Sequence, residues 1–113
     1  MSIYDDIKAE RKRADEEYGG PYWDDKKVAA RWHALIDDRA FQARTDDENG
    51  DLVSARHRYV QVAALAVAAA ESTERLLAVA VAEAEADIQK AKEAQVDGQT
   101  DSTRADSTGQ QGA

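Results

Sequence analysis

The chain has 113 residues, of which 42% are apolar and 34% charged, enough for one modest core and too few for two. It contains no cysteine, which excludes disulfides, thiolate zinc sites and thiol nucleophiles. Its net charge of −8 argues against nucleic acid as a partner, because phosphate backbones are bound by clustered lysine and arginine. With one proline and six glycines, the composition favours an all-α fold.

The amino terminus, "MSIYDDIKAERKRADEE", has no apolar segment of the kind that signal peptides carry. The most apolar run, Val62–Ala70, is far shorter than the roughly 20 residues that cross a bilayer. We therefore expect a cytoplasmic protein with no membrane partner.

The first predicted helix spans about residues 2–17, with Ser2 as its N-cap. Its apolar stripe is thin, so we expect it to lie on another helix: Ile3, Ile7 and Ala14.

The segment "YGGPYWDD" ends this helix, because glycine permits positive φ and Pro21 does not continue a helix. Three aromatic residues flank the turn and either plug it onto the core or, less commonly, stack on a flat ligand: Tyr18, Tyr22 and Trp23.

The second predicted helix spans about residues 26–44, with Asp24 or Asp25 as its cap. Its apolar residues recur at steps of three and four: Val28, Trp32, Leu35, Ile36 and Ala43. The dipeptide Asn49-Gly50 then predicts a turn.

The third predicted helix spans about residues 52–92 and completes a three-helix antiparallel arrangement in a domain of residues 1–95. Apolar residues follow a three-four repeat that only Glu74 interrupts: Val60, Ala63, Val67, Ala70, Leu77, Val81, Ala84, Ile88 and Ala91. A helix of about 40 residues is roughly 60 Å long, more than the first two helices cover. Either a second copy packs on it, giving a homodimer or tetramer, or its outer end is solvated. Residues 96–113 are polar and predict a disordered tail.

Common catalytic motifs are missing from the sequence. "YGGP" lacks the lysine and the strand-to-helix context of a phosphate loop. His33 and His57 lie on different predicted helices without metal-binding spacing, and no serine lies in a strained elbow.

Asp37 and Asp38 are the acidic pair of the second helix, but Phe41 occupies the position four residues after Asp37. A Mg²⁺ site needs several converging carboxylates. Glu71 and Glu74 share a face of the third helix but lie more than three turns from its start. We therefore favour a solvated helix face over a metal site.

The order of motifs "AERKRADEEYGGPYWDD", a Trp-led helix and "YVQVAALAVAAAE" resembles small bacteriophage-type proteins of the MazG-like, all-α nucleoside-triphosphate pyrophosphohydrolase superfamily. The resemblance covers about residues 7–77. It implies a helical bundle that pairs or forms tetramers, Mg²⁺ as cofactor, and cleavage of a nucleotide between its α- and β-phosphates. For a phage-encoded protein the location would be the host cytoplasm.

In that superfamily the metal is held by an EExxE motif on one helix and an ExxD motif on the next. On this chain the first falls on Asp37, Asp38 and Phe41, and the second on Arg58 and Gln61. Because an arginine brings positive charge to a cation site, we expect Mg²⁺ to bind weakly at a remnant of the site, Asp37 and Asp38.

Three interpretations follow. The first is a helical oligomer that binds a nucleotide or related phosphate ligand with impaired or absent catalysis, through Arg39, Arg56 and Arg58, with Trp32 or Trp23 near a base. The second is a structural or partner-binding helical protein without a small-molecule ligand. The third is an active pyrophosphohydrolase with a shifted site: Asp37, Asp38, Glu71 and Glu74.

Overall fold

The computed structural model describes the backbone of residues 2–109 and the side chains of residues 2–95. Its helices, in chain order, are α1 (Ile3–Tyr18), α2 (Pro21–Asp24), α3 (Ala29–Glu48) and α4 (Leu52–Gly109). No strand occurs among the described residues, so the predicted all-α class is confirmed. Within these helices, no stretch is both long and apolar enough to cross a bilayer.

Contacts divide the chain into two compact units, Met1–Leu76 and Leu77–Ala113. The first contains α1, α2, α3 and the beginning of α4. The predicted three-helix arrangement and its completion by a second copy stay predictions. The helix α4 continues to Gly109, past its predicted end near residue 92 and into the predicted disordered tail of residues 96–113. The side chains from residue 96 onward, and all of residues 110–113, lie outside the described residues.

The first helix begins as predicted. Ser2 is its N-cap, and its Oγ accepts a hydrogen bond from the backbone N–H of Tyr4 at 3.1 Å. The helix ends at Gly19, whose φ of 98° is left-handed and whose N–H donates to the carbonyl of Asp15. Pro21 follows the end of α1 and is also the first residue of the one-turn helix α2, a position that proline favours.

The predicted start of the second long helix was wrong. The helix α3 begins after Val28, and this N-cap makes no side-chain hydrogen bond. Asp24 and Asp25 do not cap it. Asp24 instead accepts a hydrogen bond from Lys27 Nζ at 2.8 Å, and Asp25 is bound by side chains of α4.

The helix α3 also extends one turn beyond its predicted end. Asp47 accepts a hydrogen bond from the Tyr59 hydroxyl at 3.1 Å, and Asp46 lies 3.9 Å from Arg58 Nε. The start of α4 is as predicted, because Asp51 Oδ1 accepts a hydrogen bond from the backbone N–H of Ser54 at 3.1 Å.

The core of Met1–Leu76 is small and rich in alanine, which allows helix axes to approach closely. Its buried apolar residues are Trp32, Ala43, Ala55, Val60, Ala64 and Ala68. On α4 the buried positions recur every four residues from Val60 to Ser72, whereas Val67 and Ala70 of the predicted repeat are exposed. Two ion pairs of 2.7 Å join α1 to α4: Asp6–Arg56 and Arg11–Glu71.

The second unit is described up to Gln95 in its side chains, and all of those side chains are exposed. They include large apolar ones, among them Leu77, Val79, Val81 and Ile88. A lone helix with these side chains in water buries none of its apolar surface.

Candidate ligand-binding cleft

A cleft of about 710 Å³ lies within the unit Met1–Leu76, which places it in the size range of small-molecule sites. Its walls come from all four helices. The three long helices each contribute side chains at four-residue steps: Glu10, Ala14 and Tyr18 on α1; Arg31, Leu35 and Arg39 on α3; and Gln61, Leu65, Ala64 and Ala68 on α4. The segment Trp23–Val28 contributes further lining residues at the α2 end.

The cleft collects positive charge in a chain that is acidic as a whole. Its lining includes six cations, Arg11, Arg13, Lys26, Lys27, Arg31 and Arg39, against three carboxylates, Glu10, Asp15 and Asp24. The net charge of the chain is −8. The excess of cations favours an anionic ligand at this place.

Several of these cations are paired with carboxylates. Lys27 binds Asp24 at 2.8 Å, and Arg39 Nη1 lies 2.9 Å from Asp38 Oδ2. In contrast, Lys26 and Arg31 form no salt bridge with any residue that the structure describes. Arg31 therefore offers its charge to a ligand, and so does Lys26, whose Nζ lies 4.6 Å from the centroid of the Tyr22 ring.

The carboxylate of Glu10 is held ionised at the wall. A hydrogen bond from Arg13 lowers the pKa of Glu10, burial opposes this, and the charges of Arg13, His57 and Arg39 lower it further. Arg13 Nη2 lies 2.5 Å from Glu10 Oε2, and Arg13 also binds Glu17. The same contacts raise the pKa of Arg13, so its guanidinium stays charged.

Two indoles contribute aromatic surface to the cleft. Trp32 is 8% exposed and belongs to the core, with Lys27 Nζ 4.9 Å from its ring centroid. Trp23 is 55% exposed, and its ring meets Tyr22 edge to face at a centroid distance of 5.2 Å. Trp23 therefore has surface on which a flat group can stack.

Three of the predicted site residues lie together in this cleft: Trp23, Trp32 and Arg39. Arg56 and Arg58 do not line it. Arg56 Nη2 pairs with Asp6, and Arg58 Nη1 donates to Gln61 Oε1 at 3.1 Å. Their predicted role as phosphate contacts has no support from this placement.

The residues of the predicted metal remnant, Asp37 and Asp38, are exposed on α3. Asp38 Oδ2 accepts hydrogen bonds from Arg39 and, at 3.0 Å, from Gln42. Among the residues with described positions, no three His, Asp or Glu side chains come together as a metal site would require. The donor set therefore does not fit the Mg²⁺ that the resemblance implies.

The shifted acidic site also lacks convergence. Glu71 is bound by Arg11, whose hydrogen bond lowers the pKa of Glu71, while Glu74 is exposed. His33 and His57 are likewise exposed.

The sequence interpretation missed the other cations of the cleft, among them Lys26 and Arg31. For Arg31 the signal was spacing, because Arg31, Leu35 and Arg39 recur every four residues and so share a face of α3. That spacing alone did not tell which helix would face them.

Comparison of the chain with protein-family models, with curated proteins and with solved structures finds no match. The MazG-like resemblance stays a prediction.

Proposed function

We propose that the cleft binds a nucleotide or a closely related ligand that joins an aromatic ring to phosphate, without metal-dependent cleavage. The resemblance to MazG-like proteins, which act on nucleoside triphosphates, is consistent with this class of ligand. A cytoplasmic location, and a phage origin, belong to the same proposal.

One observation carries the proposal: an exposed indole lines the same cleft as cations that have no carboxylate partner among the described side chains. Trp23 offers a ring face, and Lys26 and Arg31 offer positive charge. Guanidinium groups bind phosphate through two parallel hydrogen bonds, and ammonium groups bind it as point charges. A nucleotide combines the two chemistries that this lining matches.

The donor set supports the part of the proposal that concerns cleavage. Phosphoryl cleavage of the MazG-like kind requires carboxylates that hold Mg²⁺, which activates water. Asp37 and Asp38 are exposed, and Asp38 is occupied by Arg39 and Gln42. Neither aspartate lines the cleft, so we expect a bound nucleotide to stay uncleaved.

Tryptophan fluorescence tests the proposal directly, because both tryptophans of the chain, Trp23 and Trp32, line the cleft. We expect nucleoside triphosphates to change the emission of the protein saturably. The variants Trp23→Phe and Trp32→Phe each leave one reporter. The change should come mainly from Trp23, since Trp32 is largely buried.

Titration with inorganic triphosphate measures the contribution of the phosphates to affinity, and titration with a free nucleoside measures the contribution of the aromatic ring. Each should bind more weakly than the nucleotide that joins them. Calorimetry without heat for every nucleotide, with and without Mg²⁺, would overturn the proposal. Release of pyrophosphate would overturn its claim that cleavage does not occur.

The alternative function is a helical assembly protein without a small-molecule ligand. The observation that favours it is the set of exposed apolar side chains between Leu77 and Gln95. Nucleotides would then leave both the fluorescence and the melting temperature unchanged, since only binding to the native state stabilises it.

A further inference from the structure

The second unit carries apolar side chains at regular heptad positions. Counting Val81 as position a, Ile88 is the next a, and Leu77, Ala84 and Ala91 are d positions. All five are exposed, with Leu77 at 61% and Ile88 at 55%. The a and d positions from Leu77 to Ala91 are therefore apolar and uncovered among the described residues, and polar Gln95 occupies the next a position. Between Leu77 and Ala82 the other faces of the helix are apolar as well.

We propose that this face, the Leu77–Gln95 seam, pairs with the same segment of a second copy of the chain as a parallel, in-register, two-stranded coiled coil. The proposal does not rest on the ligand-binding cleft. Each inference can fail without the other.

The residue types at the seam favour two parallel strands. Parallel dimers prefer β-branched residues at a and leucine at d. Val81 and Ile88 occupy a, and Leu77 occupies d. The alanines at the remaining d positions bring the helices close but bury little area, so we expect a dimer that dissociates on dilution.

The charges that flank the seam support the parallel register. In a parallel dimer, position g of one helix lies beside position e of the next heptad on the other helix. Asp87 is at g and Lys92 at e, five residues later. The register therefore places Asp87 of one copy beside Lys92 of the other, twice by symmetry.

The antiparallel register in which Ile88 packs against Ala84 matches the sequence less well. When Ile88 packs against Ala84 of the second copy, e faces e and g faces g, so that Glu85 lies near Glu85 and Asp87 near Asp87. Like charges at these positions disfavour the pairing. Glu74, at the a position before the seam, opposes continuation of either pairing toward the amino terminus.

A matched pair of valines tests the seam. Val81 is at a and Val79 at f, roughly 200° apart around the helix, and both are exposed in the monomer. The wild-type chain, of 12.4 kDa, should sediment at about twice that mass at high concentration and dissociate on dilution. The variant Val81→Asp should raise the dimer dissociation constant at least tenfold, whereas Val79→Asp should change it little.

Cysteine cross-linking tests the direction and the register, because the chain has no other cysteine. Ala84→Cys places two thiols opposite each other only in the parallel register, so mild oxidation should produce a covalent dimer. Ala86→Cys, at f, should not cross-link. The exchange Asp87→Lys should weaken the dimer several-fold, and adding Lys92→Asp should restore it.

The outcomes decide the proposal. A chain that stays monomeric at millimolar concentration would overturn it, as would equal effects of Val79→Asp and Val81→Asp. A trimer or tetramer, or failure of Ala84→Cys to cross-link in a proven dimer, would overturn the two-stranded parallel form. Pairing with a different protein in place of a second copy would do the same.

Discussion

Asp25 and Arg75, which are 50 positions apart in the sequence, form a two-pronged ion pair: Arg75 Nη2 lies 2.7 Å from Asp25 Oδ1, and Nε lies 3.0 Å from Oδ2. Ser72, a fully buried residue, donates to the same carboxylate at 2.8 Å. These contacts hold the segment after α2 against the helix α4. They also fix the α2 end of the cleft, where Trp23 and Lys26 lie.

This contact predicts a stability that depends on pH. Hydrogen bonds from Arg75, and secondarily from Ser72, hold the pKa of Asp25 below its ordinary value of 3.8. A lowered folded-state pKa contributes stability that is present above the unfolded pKa and is lost as the pH falls through the folded pKa. Asp25→Asn should therefore reduce the free energy of unfolding at pH 7, and the deficit should shrink below about pH 4.

Urea unfolding of both chains at neutral and acidic pH measures this difference. Asp37→Asn is the matched control, since Asp37 is exposed and forms no salt bridge with a described residue. A deficit for Asp25→Asn that stays the same at both pH values would show that the carboxylate charge is not its cause.

Gly19 and Gly50 give a second matched pair. Their φ values are 98° and 79°, so an alanine at either position should cost about 1–2 kcal/mol from left-handed backbone strain. A Cβ at Gly19 would also overlap the indole of Trp23, whereas a Cβ at Gly50 meets no atom within 4 Å among the described residues. We expect Gly19→Ala to destabilise the fold more than Gly50→Ala, as chemical denaturation measures.

Tryptophan emission distinguishes the two costs. Gly19→Ala should shift the emission of Trp23 by displacing its ring, and Gly50→Ala should leave it unchanged. Equal losses of stability with unchanged emission in both variants would contradict the close packing of Gly19 against Trp23.

Nucleotide affinity should depend on Arg31. Removing one charge-assisted contact to phosphate should weaken binding about tenfold, or about 1.4 kcal/mol. Arg44 is the control, because it lies on the same helix, is exposed and does not line the cleft. Calorimetric titration of Arg31→Ala and Arg44→Ala with the same nucleotide should show the loss only for Arg31→Ala.

Nucleotide binding should be independent of divalent metal. The described residues bring no three metal-ligating side chains together, so this part of the chain offers no carboxylate cluster for a Mg²⁺–nucleotide complex. Dissociation constants measured with Mg²⁺ and with a chelator should agree within about threefold, a difference well below 1 kcal/mol. A requirement for Mg²⁺ would restore the shifted acidic site as an explanation.

Several helix boundaries could be predicted from residues that are close together in the sequence. Ser2 capped α1, the glycines ended it, and α4 began after Asp51, as predicted. The failure at α3 has a physical cause. Aspartate is a favourable N-cap, but Asp24 is bound by Lys27, and Asp25 is bound by Ser72 and Arg75. Val28 is therefore the N-cap of α3, without a side-chain hydrogen bond.

The cleft was only partly predictable. Trp23, Trp32 and Arg39 were identified as ligand contacts, and they do line one cleft. Arg56 and Arg58 were also predicted to contact phosphate, but they lie outside the cleft and bind Asp6 and Gln61. Residue type states what a side chain can bind. It does not state which helix will face it.

The sequence by itself therefore determined the helical class, several helix ends and the apolar repeat of the last helix, because hydrogen bonds and side-chain periodicity within a helix involve near neighbours. The tertiary structure decided which face of α4 is buried between Val60 and Ser72, and which cations surround the cleft. Those features depend on the rotation and spacing of helices that residues such as Asp25 and Arg75 bring together across 50 positions, and no local pattern encodes that geometry.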